Sequence, residues 1–298
     1  MASIIFAGSP QVAVPYLRAL AAEHTIVAVI TREDSPVGRK RELTPTAIAV
    51  EATALGLPVL KANSLRGIDL PDSELGVVVA YGGLVPDAML DQPTYGWINA
   101  HFSMLPALRG AAPVQRGLWN GDEATGISIF QLVSELDAGP VFHQRQLFFE
   151  PTETASEALA RISQLTVDDL VETVDGILAG ELVSRDQEGL ATFAPKFTRD
   201  EGHINWLLPA RTAYNRIRAL TTEPGAFTML GDQRIGIVEA RLSYADSGHA
   251  GVVSVKDGHV YIGTGDGTIE LLSVKPAGKN TMLAIDWARG LRGETVLG

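Results

Sequence analysis

The run Val77-Val78-Val79-Ala80 decides the fold class of this chain. It contains no polar residue, whereas a strand with one solvent-exposed face alternates apolar and polar side chains. A continuous apolar strand is typical of a parallel sheet that helices cover on both faces. The sequence therefore predicts an α/β fold with this run in a central strand.

Strand-like and helix-like segments alternate on both sides of this run. The polar segment 31–43 is predicted as a loop, and Thr44 is predicted to cap a helix that begins at Pro45. The other predicted helices span about 11–22 and 154–179, and the predicted strands span about 4–7, 26–30, 57–60, 75–81, 97–101, 126–132 and 140–149. We therefore expect a doubly wound, mostly parallel Rossmann-like sheet over 1–187.

A different pattern follows a connector that we place at 188–206. A helix at about 209–220 precedes short strand-like segments with glycines at their turns. Short strands with regular turn signals are typical of small barrels. We expect 207–298 to form a small OB-like β-barrel, with a final helix near 281–290.

Composition limits the possible chemistry. The 298 residues include no cysteine, which excludes disulfides, zinc–thiolate sites and thiol catalysis. No export signal and no membrane-spanning run is expected, so we predict a cytoplasmic protein. Nothing in the sequence demands more than a monomer.

The net charge of −11 is unevenly distributed. Residues 1–206 contain 14 basic and 26 acidic residues, whereas 207–298 contain 10 and 9. A polyanion is therefore repelled mainly by the first part, and contact with one would need local basic residues or the nearly neutral second part.

Asn99, His101 and Asp137 are the candidate catalytic residues. Asn99 and His101 lie two residues apart on a predicted strand, so their side chains leave the same face. At the carboxyl end of a parallel strand, that face opens into the usual ligand crevice. An isolated pair of this kind is more often a capping amide and a structural histidine, and Asp137 before Ala138-Gly139-Pro140 is more often a turn residue.

Three further segments are candidates for binding. Ser103-Met104-Leu105-Pro106 follows the Asn99–His101 pair as a loop made rigid by its proline, and it could form one wall of a binding site for a flat ring ligand. Arg109-Gly110-Ala111-Ala112-Pro113 is a small-residue turn that a ligand or nucleic-acid end could approach. The adjacent Arg39, Lys40 and Arg41 offer a place for a phosphate, although such basic runs are usually only solvated.

Several common sites are missing from the sequence. Gly8-Ser9-Pro10 after the first strand is not a dinucleotide fingerprint, and no phosphate-binding lysine motif occurs. Nicotinamide and nucleoside-triphosphate chemistry are therefore disfavoured. The remaining histidines, among them His24 and His143, show no metal-ligand spacing, and no metal site is predicted.

Taken together, these segments resemble the methionyl-tRNA formyltransferases of bacteria and organelles over nearly the whole chain. Each similar segment is weakly specific alone, but the set is specific and keeps the family's order. The segments are Phe6 to Pro10, Leu43 to Pro45, Val79 to Gly82, Asn99 to Gln115, Leu136 to Gly139, Thr192 to Lys196, Ile204 to Trp206 and Pro276 to Lys279.

The resemblance implies formyl transfer from 10-formyltetrahydrofolate to the α-amine of initiator methionyl-tRNA, without a metal. It implies that Asn99, His101 and Asp137 are catalytic. It further implies that Ser103, Met104, Leu105 and Pro106 form the folate loop, with Met104 in place of the usual leucine. Contacts with tRNA are expected from the barrel and from Arg39, Lys40, Arg41 and Arg109.

The expected mechanism follows from these roles. Asn99 and His101 would hold the oxyanion of a tetrahedral intermediate, and Asp137 would orient His101 and favour its charged form. A water would carry the amine proton towards N10 of the folate. Three alternatives remain: a sugar-nucleotide N-formyltransferase, a glycinamide ribonucleotide formyltransferase, and a folate- or RNA-binding module without turnover.

Overall fold

The computed structural model describes residues 1–37, 41–245 and 248–298, and these form two compact units. The first unit consists of Met1–Pro113, Thr125–Phe148 and Leu159–Ala194. The second consists of Val114–Ala124, Phe149–Ala158 and Pro195–Gly298. The division predicted from the sequence, at 188–206, stays a prediction.

The first unit is built on a seven-stranded sheet. Its strands are β1 (Ser3–Gly8), β2 (Thr25–Thr31), β5 (Val59–Lys61), β6 (Leu75–Val79), β7 (Trp97–His101), β8 (Ala124–Gln131) and β9 (Val141–Phe148). A separate antiparallel pair consists of β3 (Ser35–Val37) and β4 (Glu42–Thr44). This unit contains the helices α1 (Val14–Glu23), α2 (Ala47–Ala54) and α5 (Val167–Leu178) and the part of α4 (Ala155–Leu165) from Leu159 onwards. The helix α3 (Pro113–Asn120) belongs to the second unit except for Pro113.

The strand order explains where a site can form. The order is β5-β2-β1-β6-β7-β8-β9, with β5, β2, β1, β6 and β7 parallel and β8 antiparallel to β7. The chain moves from β1 to one edge and then returns to β6 on the other side, which creates a topological switch point. Ligands of open α/β sheets bind at the carboxyl ends of strands near such a point.

The fully buried β6 confirms the interpretation of the apolar run for its three valines, since all five residues of the strand are buried. Ala80, which was predicted to continue the strand, follows its end, is exposed and has a φ of 49°. Gly76 on β6 lies opposite Trp97 on β7 in the parallel register. The indole of Trp97 is completely buried and donates to the Met89 carbonyl (2.8 Å). A Cβ at Gly76 would lie 2.3 Å from that indole, so glycine is required for the two strands to pair.

Three local predictions for this unit are wrong. The helix predicted at Pro45 begins at Ala47, because Thr46 is its cap and accepts from the Ala49 N–H (3.0 Å). The single helix predicted over 154–179 is two helices, which separate at Thr166. The predicted loop at 31–43 contains the paired strands β3 and β4.

The second unit is an antiparallel, nearly closed barrel. Its strands are β10 (Ala226–Leu230), β11 (Gln233–Ser243), β12 (Val252–Lys256), β13 (His259–Gly263), β14 (Thr268–Pro276), β15 (Met282–Leu283) and β16 (Thr295–Val296), with helices α6 (Ala210–Ala219) and α7 (Ala284–Ala288). The order β10-β11-β14-β13-β12-β16 runs around the barrel. Met229 on β10 and Gly298 exchange two backbone hydrogen bonds (2.9 and 3.0 Å), which join its two ends.

These architectures confirm the predicted fold class, a mostly parallel α/β sheet followed by an antiparallel barrel. The core of the second unit includes Trp206, whose indole donates to Thr228 (2.9 Å), and Trp287. In the described part of the chain, no helix is long and apolar enough to cross a membrane.

We expect Gly76→Ala to lower the free energy of unfolding by about 1–3 kcal/mol, because the added methyl overpacks a rigid core against Trp97. Chemical denaturation followed by tryptophan fluorescence measures the change. Gly290→Ala is the control, since its Cβ would meet only the Trp287 carbonyl at an ordinary 3.4 Å. Equal stabilities of the two variants would contradict this account of the β6–β7 contact.

Candidate active site

Strand β7 places both residues of the Asn99–His101 pair at the carboxyl end of the parallel strands. The side chain of Asn99 is half-buried, and the described residues provide it with no hydrogen-bond partner. His101 is the last residue of the strand and is only 5% exposed. The strand therefore presents a free amide beside a buried imidazole.

The imidazole of His101 is held between a backbone carbonyl and a carboxylate. Its Nε2 lies 2.9 Å from the Leu108 carbonyl oxygen, and its Nδ1 lies 3.8 Å from Asp137 Oδ2. The Phe130 ring packs edge-on against it, with the ring centroids 6.3 Å apart. The structure thus brings together His101 and Asp137, which are remote in sequence.

The carbonyl contact fixes the tautomer of His101. A carbonyl oxygen only accepts, so Nε2 carries the hydrogen of the neutral ring and Nδ1 keeps its lone pair. That lone pair faces the carboxylate of Asp137 at 3.8 Å. A proton added at Nδ1 would replace this repulsion between electron pairs with an ion pair.

Burial is the largest influence on the pKa of His101. It lowers the pKa of the imidazole, and the Asp137 charge and the Leu108 carbonyl oppose that effect by raising it. The net direction is downwards, so the ring is neutral at neutral pH. Asp137 therefore favours the charged form, as expected, but burial outweighs its contribution.

The carboxylate of Asp137 is fixed by the loop that follows β7. Asp137 is 8% exposed and adopts a positive φ of 48°, and its Oδ2 accepts from the Gly110 N–H (2.7 Å). Gly110 has a φ of 121°, and a Cβ there would lie 2.9 Å from the Ala194 carbonyl oxygen. A side chain at residue 110 would therefore disturb the amide that holds Asp137.

Gln187 supports the loop around Asp137 and was not predicted from the sequence. Its Nε2 donates to the carbonyls of Asp137 (2.8 Å) and Gly139 (2.9 Å). Its Oε1 accepts from the guanidinium of Arg109 through Nε (3.2 Å) and Nη2 (2.7 Å). One amide therefore ties the aspartate loop to the arginine.

The segment 187–194, which was expected to be linker from residue 188 onwards, lies along the wall of this site. Arg109 donates its N–H to the Thr192 carbonyl (2.8 Å) and accepts from the Ala194 N–H (2.7 Å). Thr192 Oγ1 also accepts from the Leu108 N–H (2.8 Å). The segment thus stabilises the turn whose Leu108 carbonyl binds His101.

The predicted folate loop is held together from within. Every backbone N–H and carbonyl of 103–107 except the Met104 N–H has a hydrogen-bond partner in the described residues. The hydroxyl of Ser128 donates to the Ser103 carbonyl (2.6 Å) and accepts from the Leu105 N–H (3.0 Å) and from Gln144 (2.9 Å). Ser128 therefore uses its full hydrogen-bonding capacity to shape the loop.

Ser128 was likewise not predicted from the sequence, because its role depends on its position in the folded sheet. It pairs directly with His101 across β7 and β8 and is fully buried. A serine in an apolar strand is a weak signal, because its role depends on a loop that only the fold brings close. Alternation along 126–132 could identify its face but not its partners.

The basic residues predicted to contact tRNA lie in two different segments and have different surroundings. Arg39 and Lys40 lie outside the described residues, and Arg41 is exposed directly before β4. Arg109 is engaged by Gln187 and by the exposed carboxylate of Glu135 (3.3 Å). The tRNA contacts of these residues stay predictions.

A cavity of about 610 Å³ lies in the second unit, and it is lined only by residues between 210 and 268. Its lining includes Arg211, Tyr244, Asp266 and Thr268. None of the residues predicted for catalysis or folate binding lines it. Geometry and hydrogen bonding, rather than cavity size, therefore single out the β7 site.

Comparisons with known proteins match both units. Residues 1–174 match the family model described as formyl transferase, and 196–292 match the formyl transferase C-terminal domain. The chain is 46% identical over 301 residues to the methionyl-tRNA formyltransferase of Clavibacter sepedonicus, and the alignment covers 99% of each sequence.

Two solved structures share the fold. The methionyl-tRNA formyltransferase from Clostridium thermocellum has a TM-score of 0.59 at 19% identity, over 94% of this chain and 100% of that one. The sugar 3N-formyl transferase WlaRD, solved in the presence of dTDP and 5-N-formyl-THF, has a TM-score of 0.69 at 15% identity, over 94% and 99%. At such identities the likeness concerns the fold alone.

We expect Asp137→Asn to lower the pKa of the His101 imidazole below its wild-type value, because the substitution removes the charge that raises it. An NMR titration of the histidine ring signals measures the pKa, and His101→Gln assigns the signal. Asp169→Asn is the matched control, since Asp169 accepts from His143 (2.9 Å) instead. An unchanged or higher pKa of His101 in Asp137→Asn would refute the electrostatic account.

We expect Gln187→Ala to lower the pKa of His101 as well, by less than Asp137→Asn does. Loss of the two amide donations frees the aspartate loop, so its carboxylate spends less time near Nδ1. The same titration separates positioning from mere stability, because a general loss of stability does not move one pKa. Gln92→Ala removes a hydrogen bond from the side-chain amide to the Leu70 carbonyl (3.1 Å), and it should leave the pKa of His101 unchanged.

Proposed function

The chain belongs to the methionyl-tRNA formyltransferase family, and we propose that it transfers a formyl group from 10-formyltetrahydrofolate to the α-amino group of initiator methionyl-tRNA. One observation carries the proposal: His101 and Asp137 lie 3.8 Å apart beside Asn99 in a chain that aligns over 99% of its length with such an enzyme. The product would be N-formylmethionyl-tRNA for translation initiation in the cytoplasm, made by a monomer.

The amine of the aminoacyl ester is the nucleophile. Its reference pKa of about 7.7–8.0 leaves an appreciable neutral fraction near pH 7, so no strong base is needed to generate it. Attack on the formyl carbon forms a tetrahedral intermediate with negative charge on the formyl oxygen. The unpartnered Asn99 amide would donate to that oxygen, which is worth roughly 2.7–4 kcal/mol of transition-state stabilisation.

The contacts of His101 favour a proton-accepting role over the oxyanion role inferred from the sequence. The neutral ring has one N–H, and that hydrogen is directed to the Leu108 carbonyl. Nδ1 is left to accept the proton that the amine loses on attack. The same proton would then pass to N10 of the folate, as the C–N bond to the formyl group breaks and tetrahydrofolate leaves.

Asp137 would stabilise the imidazolium that exists between these two proton transfers. Its carboxylate is buried, fixed by the Gly110 N–H and 3.8 Å from Nδ1. The attraction between two opposite charges is stronger in a buried site than in water, and the Gly110 N–H bonds to the carboxylate oxygen that faces Nδ1. Asp137 is therefore assigned to charge stabilisation and Gln187 to positioning.

The folate would lie against Ser103, Met104, Leu105 and Pro106. Since nearly all polar backbone groups of this loop are already bonded within the protein, the loop would contribute shape and apolar contact. Met104, half-buried at the surface of the loop, has the free N–H. The polar edge of the pterin would therefore be recognised mainly by residues outside the loop.

The tRNA would be bound by basic residues and by the barrel. Arg39, Lys40 and Arg41 are assigned to phosphates of the acceptor stem, because they are the densest basic cluster in an acidic part of the chain. Arg109 is assigned to the end of the tRNA that carries methionine. Its contact with the exposed Glu135 is the one that a phosphate would replace.

A sugar-nucleotide N-formyltransferase is the second candidate, since WlaRD shares the fold at a TM-score of 0.69. That likeness rests on 15% identity, against 46% to a methionyl-tRNA formyltransferase. The tRNA substrate is therefore the better supported one.

The test of this function is a formylation assay with 10-formyltetrahydrofolate and charged initiator tRNA. We expect N-formylmethionyl-tRNA from the wild type and a kcat lowered about 10²–10³-fold in Asn99→Ala, since that variant removes one oxyanion donor. The exposed Asn280→Ala is the control and should retain wild-type turnover.

One outcome would contradict the proposed function, and another would contradict only the role of Asn99. Formylation of an amino-sugar nucleotide in place of the tRNA would support the second candidate. Wild-type turnover in a folded Asn99→Ala would leave the reaction intact but remove Asn99 from its mechanism.

A further inference from the structure

His24 is a buried histidine whose ring nitrogens have no hydrogen-bond partner in the described residues. It follows α1 directly, and its side chain is only 6% exposed. Buried polar atoms without partners are rare in folded proteins, because each forfeits its hydration without compensation. The unpartnered ring therefore requires an explanation.

Two carboxylates lie beside this ring. Asp175 on α5 places Oδ1 3.4 Å from Nε2 of His24, and Glu23 ends α1 next to it in sequence. One ligand atom from each of the three residues lies within 4.8 Å of the other two. Asp175 is about half exposed and Glu23 is exposed, so solvent reaches the cluster from the carboxylate side.

The separation of 3.4 Å between Nε2 and Oδ1 fits two ligands of one metal ion. It exceeds the ordinary length of a hydrogen bond between these atoms. Ligands about 2.0–2.1 Å from a tetrahedral centre are about 3.4 Å apart, which follows from the zinc–nitrogen and zinc–oxygen bond lengths. The exposed carboxylate of Glu23 can rotate inwards to complete a third ligand position.

We propose that His24, Asp175 and Glu23 bind a divalent transition-metal ion of the Zn²⁺ class. Two observations support it: the ligand atoms of the three residues converge, and the imidazole that faces the two carboxylates is buried with no hydrogen-bond partner among the described residues. One imidazole and two carboxylates suit Zn²⁺, Co²⁺, Ni²⁺ or Mn²⁺, whereas Ca²⁺ and Mg²⁺ prefer oxygen ligands alone. Water would occupy the fourth position.

The site is structural and separate from the catalytic candidates. Its ligands come from the junction of α1 with β2 and from α5, all within the first unit. The helices α1 and α5 already meet near their other ends, where the Tyr16 hydroxyl bonds to Thr166 (2.6 Å) just before α5. A bound ion would add a second attachment and stabilise the packing of α5.

The histidines show no ligand spacing along the chain, so the sequence predicted no metal site. The spacing rule applies to ligands that share one local segment. Here His24 and Asp175 are 151 positions apart, and only the packing of α5 on α1 brings them together.

The test uses the full chain after treatment with a chelator. Co²⁺ titrated into the wild type should give visible absorption of a four- or five-coordinate site, saturating at one equivalent, and Zn²⁺ should displace the cobalt and raise Tm. His24→Ala and Asp175→Asn should abolish both effects. Asp175→Asn changes a half-exposed side chain, so it reports on binding even if His24→Ala fails to fold.

His143→Ala is the matched control. His143 also pairs with a carboxylate, Asp169, but at a hydrogen-bonding distance of 2.9 Å, and the described residues bring no third His, Cys, Asp or Glu ligand to this pair. This variant should bind Co²⁺ as the wild type does. Absence of the absorption and of the rise in Tm in the wild type, or their survival in Asp175→Asn, would overturn the proposal.

Discussion

The hydrogen bond from the Gly110 N–H to Asp137 Oδ2 is the contact on which the candidate site depends. It joins the loop after β7 to the loop after β8, two segments that the strand register alone does not bring into contact. Through this bond the carboxylate reaches His101, whose other nitrogen is held by Leu108 of the same loop. Both ring nitrogens are thus positioned by the backbone of one short turn.

This arrangement separates two requirements of acyl transfer. The proton acceptor must be neutral before the reaction, and burial of His101 ensures it by lowering the pKa of the ring. The imidazolium of His101 must then be stabilised until its proton is passed on, and the carboxylate of Asp137 supplies the opposite charge. A more exposed histidine would be stabilised by water instead, and Asp137 would matter less.

The sequence predicted the parts of the fold and site that follow from local rules. The apolar β6 indicated a doubly wound sheet, and strand alternation placed Asn99 and His101 on one face. The approach of Asp137 to His101 came only from the family resemblance, because spacing along the chain carries no information about such contacts. Two helix boundaries were also beyond local rules. Thr46 rather than the neighbouring Thr44 caps α2, although both residue types suit a cap. The continuous helical pattern over 154–179 divides at Thr166, where tertiary contacts outweigh local preference. Gln187 and Ser128 could not be predicted because each acts on backbone atoms that are distant in sequence.

The Ser128 hydroxyl makes every hydrogen bond that it can, and this has a consequence for ligand recognition. A loop that is already ordered before its ligand arrives loses little conformational entropy on binding. The affinity for the formyl donor would then depend on the shape complementarity between the donor and this rigid loop. An analogue of the same shape would bind with nearly the same affinity and compete with the donor.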